Sequence, residues 1–447
     1  MKKFYLSAVL FLIVCAGWSQ ETWDLQKCVS YALEHNISVR QADVQARLSA
    51  LQLKQSKAMR IPTLSFNSQA GENFGRFINP TTNTFSTNKT FSQTYSAQSG
   101  ITLFNFFNVQ NSIKSAKAQS DADKTDIDRA KSDVVLNVAA AYLQYLQSLE
   151  QVNIAKGQID LTEKQLDLTK KQVAAGSVPE LNAAQLESQL STDSSTLITN
   201  QSTMEQNKLQ LLALLDISAD SSFEVSLPDV ENIPVEPLSN MQPRDVYTVA
   251  LGNQSQQKVD SLRILSAEYA AKSAKSQMYP TVQAFGSVNS NYANSYKDIY
   301  GNVLPYGKQL FNANLSEFLG ISLNVPIFNN RQLRTAYEKA KENVASARLQ
   351  QELNNQTLQQ NVYKAYSNAK AGIEGYTANT KAEQYAQYAY DLAQKRYDIG
   401  MLSASDYLVA ANNLYTAKVN RSAARYDYIF RLKVLEFYKY NHIRMGN

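Results

Sequence analysis

Apolar positions along this chain follow two alternating rhythms. From Asn108 to Ala175 and again from Asn329 to Asp398 they recur at helical spacing. In the first stretch Val152, Ile159, Leu166 and Val173 lie seven apart, as do Ile154, Leu161 and Leu168. Two residues on a helix span roughly 200°, so these series fall on nearly opposite sides. The second stretch sets Tyr385, Leu392 and Ile399 against Tyr390 and Tyr397. A two-stranded coiled coil needs one seam, whereas a helix in the wall of a tube needs one on each side; a helix buried all round in a bundle would share the pattern. At 1.5 Å per residue, each stretch predicts a rod of roughly 100 Å.

The other rhythm has a period of two. "TLSFNSQA", "YSAQSGITLF", "TVQAFGSVNSNY" and "ANLSEFLGISLNV" alternate polar with apolar or aromatic residues, predicting strands with one wet and one apolar face. They lie within Pro62 to Phe107 and Tyr279 to Phe328, two aromatic-rich segments with few charges. "GENFGRFINPTTNTFSTNKT" and "ANSYKDIYGNVLPYGKQ" read as polar hairpin loops. A soluble pair of hairpins covering a helix would look similar. In lipid, however, unpaired strand edges are forbidden, and about four strands are too few to close a barrel when known ones start at 8. Several copies would then share one barrel, and three copies give about 12 strands.

The same order of elements occurs twice. The sequence from Ala32 aligns without gaps on that from Ala250, pairing Pro62 with Pro280; "SGITLFNFFN" matches "LGISLNVPIFNN", pairing Gly100 with Gly320. Further on, "VAAGSVPELNAA" (173–184) and "YDIGMLSASDYL" (397–408) pair Gly176 with Gly400. The expected fold is therefore mainly α with a β-barrel part, a duplicated unit of helix, two strands, very long helix and returning helix. Pro62 and Pro280 end the first helices, since proline cannot continue a helix and pushes its predecessor toward extended geometry. Glycine admits positive φ, so Gly176 and Gly400 mark where each rod turns back. The boundaries are 21–215 and 244–447 for the two repeats, with strands about 62–107 and 279–328, joined by a linker at 216–243 containing Pro228, Pro234, Pro237 and Pro243.

Lys2 and Lys3 before the apolar run "FYLSAVLFLIVCAGW" predict a secretory signal peptide over 1–20. Cys15 at the end of that run leaves a lipoprotein reading open, although Ile13 and Val14 are poor small-residue neighbours for lipid attachment. Cleavage would leave only Cys28, so no disulfide framework is expected within one chain. No other apolar stretch approaches the roughly 20 residues of a membrane-spanning helix. The formal net charge of +5 falls to about +3 without Lys2 and Lys3, and no Lys/Arg cluster stands out, so nucleic acid is not an expected partner. The two histidines, His35 and His442, lie far apart, and there is no HExxH, GxSxG or glycine-rich phosphate loop. No catalytic constellation, cofactor or metal site is expected; the chain does not read as an enzyme.

The duplication, Pro62 and Pro280 at helix-to-strand junctions, "GISLNVPIFNN" before a long helix, and "VAAGSV" and "YDIGML" at the tips together resemble the TolC family of outer-membrane efflux proteins. The resemblance covers nearly the whole mature chain. It implies a homotrimer with a shared 12-stranded barrel in outer-membrane lipid, continuing into a periplasmic α-helical tunnel, with the linker resembling the family's equatorial region. Partners implied are a periplasmic adaptor protein and an inner-membrane transporter. By that resemblance the adaptor-docking residues are Gly176, Ser177 and Val178 in one tip and Gly400, Met401 and Leu402 in the other. Asp406 matches the family's ring of carboxylates at a periplasmic gate, with Asn182 at the corresponding place in the first repeat. Val409 stands where a second acid is wanted, so a second ring is in doubt. Ser405 or Asp406 acting as a helix cap is the alternative. The expected role is a passive duct of a tripartite efflux or secretion system; the rival is a secreted, filament-like protein of long helices without channel activity.

Overall fold

A computed structural model describes residues 22–78, 83–226, 236–297 and 300–441. The expected leader with Cys15, and Pro80, Pro228, Pro234 and His442, lie outside the described residues. The first half runs α1 (Leu25–His35), α2 (Ile37–Ala58), β1 (Thr63–Ile78), β2 (Phe85–Phe104), α3 (Asn108–Ala174) and α4 (Glu180–Leu215). The second runs α5 (Pro243–Asn253), α6 (Ser255–Ser276), β3 (Thr281–Ala293), β4 (Ser316–Asn324), α7 (Gln332–Asp398) and α8 (Ala404–Tyr440). Helix lengths of 11, 22, 67 and 36 residues are answered by 11, 22, 67 and 37.

Local conformation repeats as well. Each strand leads into its long helix through two consecutive left-handed residues, Phe106 and Phe107 in one half, Asn330 and Arg331 in the other. Non-glycine residues rarely accept positive φ, so the same two-residue bend at both places reflects a shared backbone requirement. The sequence predicts one helix before each hairpin. Both are broken, at Asn36 and at Gln254. Asn36 adopts ψ 131°; its side-chain oxygen accepts from the Ser38 N–H at 2.9 Å, and its amide donates to the Leu214 carbonyl at 2.7 Å. A side chain that satisfies local backbone groups in this way lets one helix stop and another begin.

The four strands form one antiparallel sheet in the order β1-β2-β3-β4. The register, in which Leu64 faces Ser99, Ser99 faces Gly286 and Gly286 faces Leu319, assigns every side chain to a face. One face carries Leu64, Phe66, Phe74, Ile101, Val282, Val288, Leu319, Ile321 and Leu323. On β1 and β2 the opposite face carries Thr63, Ser65, Asn67, Gln69, Gln98, Ser96, Thr94 and Ser92. Apolar groups on the first face are open to solvent in the single chain, Leu319 at 87 % exposure and Leu64 at 80 %.

The first hairpin is longer than the alternation predicts. Residues 71–78 and 85–90, read as loop, are strand with unbroken pairing from Glu72↔Phe91 to Ile78↔Phe85. Cross-strand contacts hold this extension: Lys89 pairs with Glu72 at 2.6 Å and lies 5.4 Å from the centre of the Phe74 ring, while Arg76 lies 4.5 Å from that of Phe85. Such pairs stabilise a ladder whatever the polarity of its residues. Glycine, asparagine and charge give the stretch the composition of a turn.

The chain divides into two compact units that cut across its halves: residues 45–123 with 259–351, and the remainder. The first of these holds the sheet and a serine ladder between α3 and α6. There Asn108 donates to the Ser273 carbonyl at 2.9 Å and Ser115 to the Ser266 carbonyl at 2.9 Å. Among the described residues the other unit has three apolar cores. One joins α1, α3 and α4 around Tyr142, Leu146, Leu211 and Leu215; its counterpart joins α5, α7 and α8 around Val246, Val362, Leu432 and Leu435. Cys28 is buried in the first, its thiol pushed up to about 12 chiefly by desolvation. The third core lies beneath the helix turns.

The two-seam pattern is sharp in α7, where Tyr390 and Tyr397 are each 4 % exposed but Tyr385 is 74 % exposed. In α3 it is blurred. Leu161 of one series joins Leu166 and Val173 of the other in a single cluster, leaving Leu168 half exposed, because α3 packs over a wide face.

Candidate functional site

The turns at Gly176 and Gly400 close by the same hydrogen bonds. Gly176 N–H donates to Val173 at 2.9 Å and Ser177 N–H to Gln172 at 3.0 Å; Gly400 N–H donates to Tyr397 at 2.9 Å and Met401 N–H to Arg396 at 2.8 Å. With φ of 71° and 74° these are paired Schellman closures, which satisfy the last carbonyls of each long helix. A Cβ at either glycine would meet nothing within 4 Å, so backbone φ rather than space requires glycine here.

The expected docking residues gather at these turns. The Ser177 hydroxyl donates to the Gln172 carbonyl at 2.8 Å, locking the turn. Met401 is exposed, while Leu402 packs into the core beneath and Val178 is half-buried. The returning helices start differently. Pro179 precedes α4 and makes no side-chain cap. Ser403 caps α8: its oxygen accepts from the Asp406 N–H at 3.1 Å, and its hydroxyl donates to the Asp406 carboxylate at 2.7 Å. Asp406 is exposed on the first turn of α8; Asn182 is half-buried on the first turn of α4. Val409 also faces solvent.

Below the turns Leu166, Ala183 and Leu186 of the first hairpin pack with Tyr390, Tyr397, Ala404, Tyr407, Ala411 and Leu414 of the second. The tyrosines keep their hydroxyls partnered: Tyr390 with Tyr407 at 3.1 Å, and Tyr397 with Thr169 on α3 at 3.1 Å. Burial, then the bond to Tyr390, raises the Tyr407 hydroxyl well above the ordinary tyrosine range. Higher up, Thr162 donates to the buried Asp193 carboxylate at 2.7 Å, and Gln189 donates to Asp193 at 2.8 Å and exchanges amide hydrogen bonds with Asn412 at 3.2 Å. These ties bind the hairpins into one piece.

The pairing in these ties has no local signature, because the partners lie far apart in the chain. The signal present was polar Gln165, Thr169 and Gln189 at positions where a helical seam wants aliphatic residues. No group of three His, Cys, Asp or Glu side chains among the described residues is placed to hold a metal ion. No described helix is long and apolar enough to cross a membrane.

Comparison with known proteins agrees with this geometry. A family model described as outer membrane efflux protein matches residues 28–216 and 246–436. The chain is 23 % identical to Outer membrane protein TolC of Escherichia coli over 328 residues, 71 % of this chain and 62 % of that protein, so the alignment spans less than two thirds of that relative. The solved CmeC outer membrane channel of Campylobacter jejuni superposes with a TM-score of 0.77 at 18 % identity, covering 97 % of this chain and 92 % of that one. The outer membrane protein VceC of Vibrio cholerae gives 0.76 at 16 % identity, covering 93 % and 95 %.

Proposed function

Because this chain belongs to the outer membrane efflux protein family, we propose that it is the outer-membrane exit duct of a tripartite efflux or secretion system. The observation that carries the reading is the sheet: one face lines up Leu64, Phe66, Ile101, Val282, Val288, Leu319, Ile321 and Leu323, the other is hydroxyl and amide along Thr63–Gln69 and their partners on β2, and β1 and β4 lie at its edges. Lipid against the first face and water against the second satisfies both, but only if the edges are paired. Three copies edge to edge give a closed barrel of 12 strands. The open helical seam of Tyr385, Leu392 and Ile399 supports the same assembly, since a neighbouring copy would cover it. A filament of long helices has no use for an exposed apolar sheet face.

In this reading the repeats 21–215 and 244–447 supply alternate walls of a periplasmic tunnel, with 216–243 as an equatorial belt. The duct does no chemistry. A periplasmic adaptor docks on Gly176, Ser177, Val178, Gly400, Met401 and Leu402, and an inner-membrane transporter drives export. Three Asp406 carboxylates converge at the mouth as a gate that attracts cations, with Asn182 its uncharged counterpart.

The experiment is the mass of the detergent-extracted protein, followed by export by Gly176→Trp and Gly400→Trp. The expected result is a trimer that keeps its membrane insertion in both variants but neither exports nor crosslinks to the adaptor. A stable monomer inserted in membrane defeats the shared barrel; full export by both variants reduces the tips to plain turns. In planar bilayers the channel should prefer cations, and Asp406→Ala should weaken both that preference and block by divalent cations, more than Asn182→Ala does.

A further inference from the structure

The two hairpins of the sheet differ in reach. Strands β1 and β2 have 16 and 20 residues, β3 and β4 only 13 and 9. After Ala293 the chain leaves the ladder, forms a bridge between Lys297 and Val303, and folds into a helical turn at Tyr306–Lys308 that passes into a π turn at Gln309–Ala313. The polar sequence from Ala293 to Gln309 predicts a loop here. The segment is instead a fastened strap.

Its fastener is Gln309, which is wholly buried. The amide oxygen accepts from the Ala293 N–H at 3.0 Å, and the amide nitrogen donates to the carbonyls of Ala293 at 3.1 Å and Leu304 at 2.8 Å. Ser290 donates to the Leu310 carbonyl at 2.7 Å, and Asn314 to that of Asn291 at 2.7 Å. The register states which side the strap lies on. Tyr95 pairs with Ser290 and with Ser68, on the same face as Phe66 and Leu319. The Tyr95 and Tyr306 hydroxyls meet at 2.7 Å, and the Tyr292 and Tyr306 rings are 4.8 Å apart. The strap therefore covers the apolar face at the far end of β3.

A strap that served only to bury apolar surface would turn its own apolar groups inward. This one turns Leu310 inward and leaves Phe311 72 % and Tyr300 83 % exposed, and Lys308, three residues before Phe311, is exposed too. On β4 the apolar face runs Leu323, Ile321, Leu319 and then Glu317, so its apolar band ends toward the strap. Aromatic rings and a long cationic side chain at the end of an apolar band suit the boundary between acyl chains and headgroups. We infer that the Tyr300–Leu315 strap is a lipid-seated anchor outside the barrel wall: Phe311 enters the acyl region of the outer leaflet and Lys308 meets a headgroup phosphate. The inference rests on reading the sheet as a wall of an outer-membrane barrel.

The test uses nitroxide labels in proteoliposomes of the assembled protein, comparing collision with oxygen, which favours lipid, against a water-soluble nickel chelate. Cys28 is buried and does not compete for label. A label at Leu319→Cys reports the barrel, one at Phe311→Cys the strap, and one at Tyr300→Cys repeats the strap measurement independently. The expected result is oxygen-dominated relaxation at all three, with 311 and 300 shallower than 319. A water-like label at 319 defeats the barrel reading itself. A lipid-like 319 with chelate-dominated labels at 311 and 300 overturns the anchor alone. Adding Gln309→Ala should shift the 311 label toward water while leaving 319 unchanged; an unchanged 311 label would overturn the fastening by Gln309.

Discussion

The two helix tips close with the same turn and pack with different chemistry. Counted from the tip glycine, Leu166, Val173 and Ala183 of the first hairpin stand where Tyr390, Tyr397 and Tyr407 stand in the second, and Pro179 stands where Ser403 stands. Backbone geometry tolerates no such divergence, since φ of 71° and 74° must be met in both. The packing does, because the tyrosines of one hairpin lie over the small aliphatic groups of the other within one core. A tip is thus a repeated bend inside the molecule, joined to an asymmetric interface between hairpins: the second carries the buried tyrosines and the Ser403 helix cap.

That asymmetry should be most visible in Tyr407→Ala. Deleting this fully buried ring should cost about 3–5 kcal/mol, whereas Ala183→Gly at the matching place should cost only about 1 kcal/mol. Equilibrium unfolding of the two variants checks it; equal losses would mean that the first hairpin holds the core just as firmly.

Alkali probes the same tyrosines. The folded state favours the protonated Tyr407 hydroxyl, because burial and then Tyr390 raise it above the ordinary 10.0. Its contribution to stability is whole below about pH 10 and declines as pH climbs above that value toward the folded one. Above about pH 10 the wild type should lose stability more steeply than Tyr407→Phe; parallel curves there would remove Tyr407 from the account.

The shared bend predicts symmetry instead. Gly176→Ala and Gly400→Ala should each cost about 1–2 kcal/mol, since an alanine there must take left-handed backbone. Thermal unfolding that separates the two by more than that amount would show that the turns are not equivalent.

The smallest effect concerns the cap. Ser403→Ala should cost about 1 kcal/mol, while Pro179→Ala, which removes no side-chain cap, should change stability far less. The reverse order would place the start of α8 under tertiary rather than capping control.

What the sequence determined by itself is local in origin. A strand period of two sorted Leu64 from Ser65 and Leu319 from Ser322 without reference to any partner. Heptad spacing set α3 and α7, and the freedom of glycine at positive φ located both tips. The matching order of elements in the two halves followed, because like segments read alike. Tertiary structure decided everything that needs a distant partner: Tyr397 with Thr169, Gln189 with Asn412, the extension of the first hairpin through Lys89 and Glu72, and Gln309 buried under a segment that reads as a loop. Composition scores a polar residue as exposed, whereas burial with every hydrogen bond satisfied costs little. Only the fold shows which polar groups find that satisfaction.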